Sequence, residues 1–139
     1  MDVIVLIGRI LFVYVFLTSG YAHFAQRNTM IPYAASKKVP VPVVAVFGGG
    51  VLLVAGSLSV LLGIWADLGA LLLFIFLAPT AVLMHNFWRE TDPQSRMMET
   101  IQFGKDLGLA GASLMLFGLF SIAGDDLGLT ITGPLFHLN

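Results

Sequence analysis

Cysteine is absent from the 139 residues, which at once excludes disulfides, thiolate metal ligands, cysteine-held iron–sulfur clusters and a thiol nucleophile. Any role in electron transfer therefore needs a redox centre borrowed from another molecule. Charge is scarce too. Only 11% of the residues are charged and 58% are apolar, where a water-soluble domain carries roughly a quarter charged. Seven basic and eight acidic residues leave a formal charge of −1, so neither the basic footprint of a nucleic-acid binder nor an acidic tail is present. A phosphate-binding glycine loop, a nucleophile elbow and a dinucleotide fingerprint are also missing, and no ligand set at one level suits a tetrahedral zinc ion. The N-terminal Met1-Asp2 runs into apolar sequence without a basic segment or a small-residue cleavage site, so it reads as a retained span.

Long apolar runs fill the space that charge leaves. A helix needs about 20 residues to cross a hydrocarbon core of roughly 30 Å, and four runs meet that length: 3–24, 43–66, 68–88 and 103–124. Arg9 is the only charge in the first, and Pro79 interrupts the third, where a missing N–H and a ring clash should bend the helix. The expected fold is all-α, a single integral-membrane domain over 1–139 built as a four-helix bundle. Residues 63–67 are too few for anything but a tight hairpin between the second and third spans, with Trp65 at an interface. The first connection predicts a short surface helix opening at Pro32 and closing with Lys37 and Lys38. Small residues four apart, Val51-Ala55-Ser59-Gly63 and Gly104-Gly108-Ala112, let helix backbones approach in lipid. Packing within the chain is the favoured use of these stripes, and association of copies into an oligomer is the other.

Orientation follows from the basic residues, which are retained on the cytoplasmic side. Arg27, Lys37, Lys38, Arg89, Arg96 and Lys105 share the end with the two longer connections, whereas Asp2, Asp67, Asp125 and Asp126 share the other. A multi-pass cell-membrane protein with both termini outside is expected.

Ionisable groups at membrane depth are costly unless paired or functional. Arg9 lies about 10 Å into the first span at 1.5 Å per residue, and the expected answer is an ion pair with Asp67, Asp125 or Asp126. Arg9, Phe16, Gly20 and His23 fall on one helical stripe, and His85 and Trp88, three apart, on another. The topology brings His23, His85, Trp88 and Lys105 to the basic end, where imidazole, ammonium and indole suit a polar-headed aromatic such as a quinone. Outward anchoring of the same side chains in the headgroup layer is the competing use. Haem ligation by His23 and His85 is the weaker reading, because no wider motif surrounds either histidine.

The segment Gly8-Arg9-Ile10-Leu11 through Phe16-Leu17-Thr18-Ser19-Gly20-Tyr21-Ala22-His23-Phe24 resembles the opening of DoxX-like proteins. The proline-rich connection, the glycine-containing second helix, Met84-His85-Asn86-Phe87-Trp88 and Phe103-Gly104-Lys105-Asp106-Leu107 resemble that family in the same order, through Phe117. His23 stands where such proteins often carry lysine, and Gly48-Gly49-Gly50 where an acidic residue is common. The resemblance implies a membrane subunit of an oxidoreductase complex, linked to quinone, with the redox centre on a partner protein. The alternative is a non-catalytic membrane scaffold or lipid-binding subunit, and in either case the lipid bilayer is the first partner.

Overall fold

The computed structural model describes residues 1–138, and among these it is wholly helix, turn and connection. The elements are α1 (Asp2–Ala25), α2 (Arg27–Ser36), α3 (Pro42–Leu62), α4 (Ala66–Met84), a 3₁₀ turn (Phe87–Arg89) and α5 (Pro93–Ala123), closed by a second 3₁₀ turn (Gly124–Asp126). The helices α1, α3, α4 and α5 are each long and apolar enough to cross a membrane. α1 packs on α3, α3 on α4 and α4 on α5, with α2 lying against α3.

The core is a column of Val13 and Phe16 from α1, Leu53 and Val60 from α3, Leu73 and Leu77 from α4, and Phe120 from α5. Outside it the chain is equally apolar: Ile4, Leu11, Val51, Ile75, Met115 and Ile122 are all exposed. In water such a surface would aggregate, whereas in a bilayer it meets its proper solvent. Lipid tails supply no hydrophobic drive for helices to associate, so close packing must do it. The α3–α4 hairpin shows this, because a Cβ placed on Gly56 would sit 2.9 Å from the carbonyl oxygen of Gly69.

The small-residue stripes are used only in part. Val51 and Ala55 are exposed and open space lies beside Gly104 and Gly108, whereas Ser59 packs against Gly69 and Gly63 against Thr130. The other close-packed small residues of α3 are Gly49, Gly50, Gly56 and Ser57, because helix rotation is set by which side the bulky core residues occupy.

Three boundaries also move. α2 begins at Arg27 and carries Pro32 inside it, a tolerable place because the Asn28 carbonyl that loses its donor is on the exposed surface. α4 stops at Met84, where the Asn86 side chain donates to the Leu83 carbonyl at 3.2 Å and competes with helix continuation. α5 starts ten residues before the expected span. Asp92 caps it by accepting the Ser95 N–H at 2.8 Å, with Pro93 at the first helical position.

At the end that holds the termini, the expected pair between Arg9 and an aspartate is replaced by two backbone solutions. Arg9 is 2% exposed and donates to the carbonyls of Val60 at 2.8 Å, Leu129 at 2.9 Å and Leu61. Val60 and Leu61 belong to the last turn of α3, whose carbonyls have no helical donors, and the planar guanidinium fork matches several acceptors at once. Asp67, fully buried, accepts the backbone N–H of Leu135 at 3.0 Å and of Phe136 at 2.6 Å. Asp125 and Asp126 are exposed, and Asp125 faces His137 at 3.5 Å. Among the described residues no ion pair joins Arg9 to Asp67, Asp125 or Asp126, because orphan helix carbonyls and tail amides lie nearer to each charge. The tail is thereby folded back over the bundle, with Ile131 N–H on the Gly63 carbonyl at 3.0 Å.

Candidate functional site

The opposite end, where the basic connections meet, holds a cavity of about 520 Å³. α3 contributes Gly48, Gly49 and Leu52, α4 contributes Ile75, Phe76, Pro79 and Thr80, and α2 closes over it with Met30, Tyr33 and Ala34. Its lining is mostly apolar, with polar groups from three segments: His23 from α1, His85 from the end of α4, and Lys105 and Asp106 from α5. Pro79 adds an acceptor, because it cannot donate to the Ile75 carbonyl one turn earlier. Such a lining, apolar with a few convergent polar groups, suits an amphipathic molecule.

His23 is brought to the cavity by close backbone approach. A Cβ on Gly49 would lie 2.8 Å from Phe76 Cε2, and one on Gly50 would lie 2.8 Å from Phe24 Cζ and 3.0 Å from His23 Cβ, so the paired glycines let α1 approach α3 at this level. The His23 Nδ1 lies 2.8 Å from the Ser19 carbonyl oxygen, which can only accept, so Nδ1 carries the proton and Nε2 is left as an acceptor. The ring stands edge-on to Phe76 with centroids 5.6 Å apart.

His85, at the end of α4, is turned toward α5. Its Nδ1 lies 2.8 Å from Glu99 Oε2 and its Nε2 lies 3.5 Å from Asp106 Oδ2. Glu99 also accepts from the Tyr33 hydroxyl at 3.1 Å and from Lys37 Nζ at 3.3 Å, and Lys37 donates to Glu90 at 2.9 Å. Lys105 donates to Gln102 at 2.6 Å and lies 3.5 Å from Asp106. The result is a continuous row of ionisable groups from α2 to the cavity wall.

On α2 the consequences for protonation are plain. Burial alone would pull the Lys37 ammonium down, but the hydrogen bonds to Glu90 and Glu99 outweigh it and hold Lys37 above the ordinary lysine value. Burial pushes the Tyr33 phenol up, and the charge of Glu99 pushes it further. Lys37 is therefore a fixed cation at neutral pH.

Of the four residues expected at one site, His23, His85 and Lys105 line the cavity and Trp88 does not. Because α4 ends at Met84, Trp88 falls in the 3₁₀ turn, roughly half exposed, and packs edge-on against Phe87 and Phe103 at 5.2 and 5.8 Å. Glu99 and Asp106 were not singled out by sequence reasoning. The signal that could have found Glu99 is the Asp92-Pro93-Gln94-Ser95 cap, which extends α5 and puts residue 99 on a helix facing α4. Among the described residues no cluster of three or more potential ligands could hold a metal ion.

Comparison with known proteins agrees with this architecture. The DoxX family model matches residues 4–86, a segment that includes Arg9, His23 and His85 but stops short of Glu99, Lys105 and Asp106. The inner membrane protein YphA of Escherichia coli strain K12 is 31% identical over 115 residues, covering 82% of this chain and 81% of that protein. No solved structure matches significantly. Four apolar helices, the matched segment and a relative aligned over most of both lengths lead to one conclusion: this chain is a multi-pass membrane protein that belongs to the DoxX family.

Proposed function

We propose that the chain is the membrane subunit of an oxidoreductase complex and that its cavity holds the headgroup of a quinone-type lipid, while a partner protein carries the redox centre. The observation that carries this reading is the pairing of an apolar cavity of about 520 Å³ with His23, His85, Lys105 and Asp106 at its wall. A quinone headgroup is a flat ring with two oxygens that accept or donate hydrogen bonds according to redox state. The wall offers both kinds of partner: the Lys105 ammonium donates, and the His23 Nε2 and the Asp106 carboxylate accept. The absence of cysteine requires any redox centre to lie on another molecule and gives slight weight to the reading without chemistry.

The basic connections support placing the cavity end at the cytoplasmic face and both termini outside. A second reading, a scaffold or lipid-binding subunit without chemistry, is favoured by the mainly apolar lining, which an acyl chain fills equally well.

Purification from the native membrane in mild detergent tests the choice, with an absorption spectrum, identification of co-purifying proteins and extraction of bound lipids. A redox protein and stoichiometric quinone are expected. A colourless preparation that carries phospholipid alone overturns the redox reading in favour of the scaffold.

A further inference from the structure

We propose that His85 is a proton relay between Glu99 at the aqueous edge and Asp106 in the cavity wall, and that a cavity-bound headgroup exchanges protons with water through it. The chemistry of the headgroup rests on the quinone reading above; the relay itself rests on geometry. Each ring nitrogen of His85 faces a different carboxylate, Glu99 at 2.8 Å and Asp106 at 3.5 Å. Imidazole is the side chain that can take a proton on one nitrogen and release another from the second, its unperturbed titration lying in the physiological range.

The two carboxylates sit in different surroundings. The Asp106 side chain is 7% exposed and lines the cavity, whereas the Glu99 side chain is 14% exposed, lies outside the cavity lining and stands beside Lys37 and Glu90 at the connections. A bridge with a purely structural task needs one such carboxylate. The second opens the row into the cavity.

The steps balance. With Nδ1–H donated to Glu99, the neutral ring presents Nε2 toward Asp106, which has a proton to pass once it has taken one from the headgroup. That proton goes to Nε2 and the Nδ1 proton goes to Glu99, which leaves the ring neutral in its other tautomer; Glu99 gives its proton to water, and a turn of the ring that restores the first arrangement precedes the second proton. Conversion of a quinol to a quinone gives up two electrons, which pass to the redox centre of the partner protein, and two protons, which the row delivers singly to the surface; reduction runs the same path backwards. Lys37 and Lys105 flank the row and keep its carboxylates compensated.

The test is nitrogen-15 NMR of the full chain, labelled at histidine and held in lipid nanodiscs, with H85Q used to identify the His85 ring signals. If H85Q does not fold, the double variant H23Q/H137Q leaves His85 as the one labelled ring. E99Q is expected to shift the Nδ1 resonance and D106N the Nε2 resonance. E99Q, whose amide keeps a hydrogen bond but takes no proton, is also expected to slow exchange of the ring N–H with water. Either substitution leaving both His85 resonances in place, or E99Q leaving exchange unchanged, overturns the relay. A decyl-substituted benzoquinone is then titrated into the wild-type sample, where a further shift at Nε2 is expected. No shift with the probe, together with an intact response to E99Q and D106N, overturns the quinone reading and leaves the relay standing.

Discussion

Arg9 Nε donates to the carbonyl of Val60 at 2.8 Å, so a charge buried in the first helix completes the final turn of the third. Substitution by alanine strands the carbonyls of Val60, Leu61 and Leu129. Only the Val60 contact is fully buried, and a buried acceptor left without a donor costs about 1–3 kcal/mol; the part-buried carbonyls of Leu61 and Leu129 add less. Thermal unfolding in detergent should therefore show R9A clearly destabilised. R9K should recover only part of the loss, since an ammonium cannot present the guanidinium fork. An R9A protein that melts with the wild type would refute the assignment.

Asp67→Asn isolates the contact that holds the tail. The carboxylate accepts two backbone N–H groups, and an amide offers one oxygen while turning its own donors on the second. The expected loss is about 1.5–3 kcal/mol, the range for hydrogen bonds to a charged group. Hydrogen exchange should show it locally, with protection lost at Leu135 and Phe136 and retained in the core around Leu73. Uniform loss across the bundle would mean that the tail is not a separable unit.

The Lys37 contacts predict an alkaline transition. The folded-state value of Lys37 is raised, so the folded chain binds that proton more tightly than the unfolded chain does. The stabilisation is complete below the unfolded lysine value of about 10.4 and disappears as pH rises through the folded one. The raised Tyr33 phenol acts in the same direction. Melting temperatures measured from neutrality into strong alkali should fall above that value, and K37M should both lower the neutral plateau and flatten the fall. A melting temperature that stays level into strong alkali, or an alkaline fall that K37M leaves as steep as in the wild type, would contradict the assignment.

Orientation is directly accessible because the chain has no native cysteine. Q94C near the cavity end should resist an impermeant thiol reagent in intact cells, while D126C at the other end should react. The reverse pattern would place the basic connections outside, against their charge.

The four spans and the inward turn of Arg9 could be read from the sequence because length and charge cost are properties of residue types alone. The partners of Arg9 could not. The carbonyls of Val60 and Leu61 become acceptors only because α3 ends at Leu62, and a free helix end leaves no mark on the side chains that compose it. The gathering of His23, His85 and Lys105 followed from topology, since all lie near the ends of neighbouring helices. Trp88 was misplaced by extending α4 through Asn86, whose side chain instead satisfies the Leu83 carbonyl. Glu99 was hidden by treating residues 93–102 as connection. In the structure they are helix, and the 31 residues of α5 run about 46 Å at 1.5 Å per residue.

The fully buried layer of Leu53, Val60, Leu73 and Phe120 lies between the cavity and the end closed by the tail. On the proposed reading, a headgroup held above that layer leaves toward the leaflet it entered from, so the cavity would work as a dock and not as a channel.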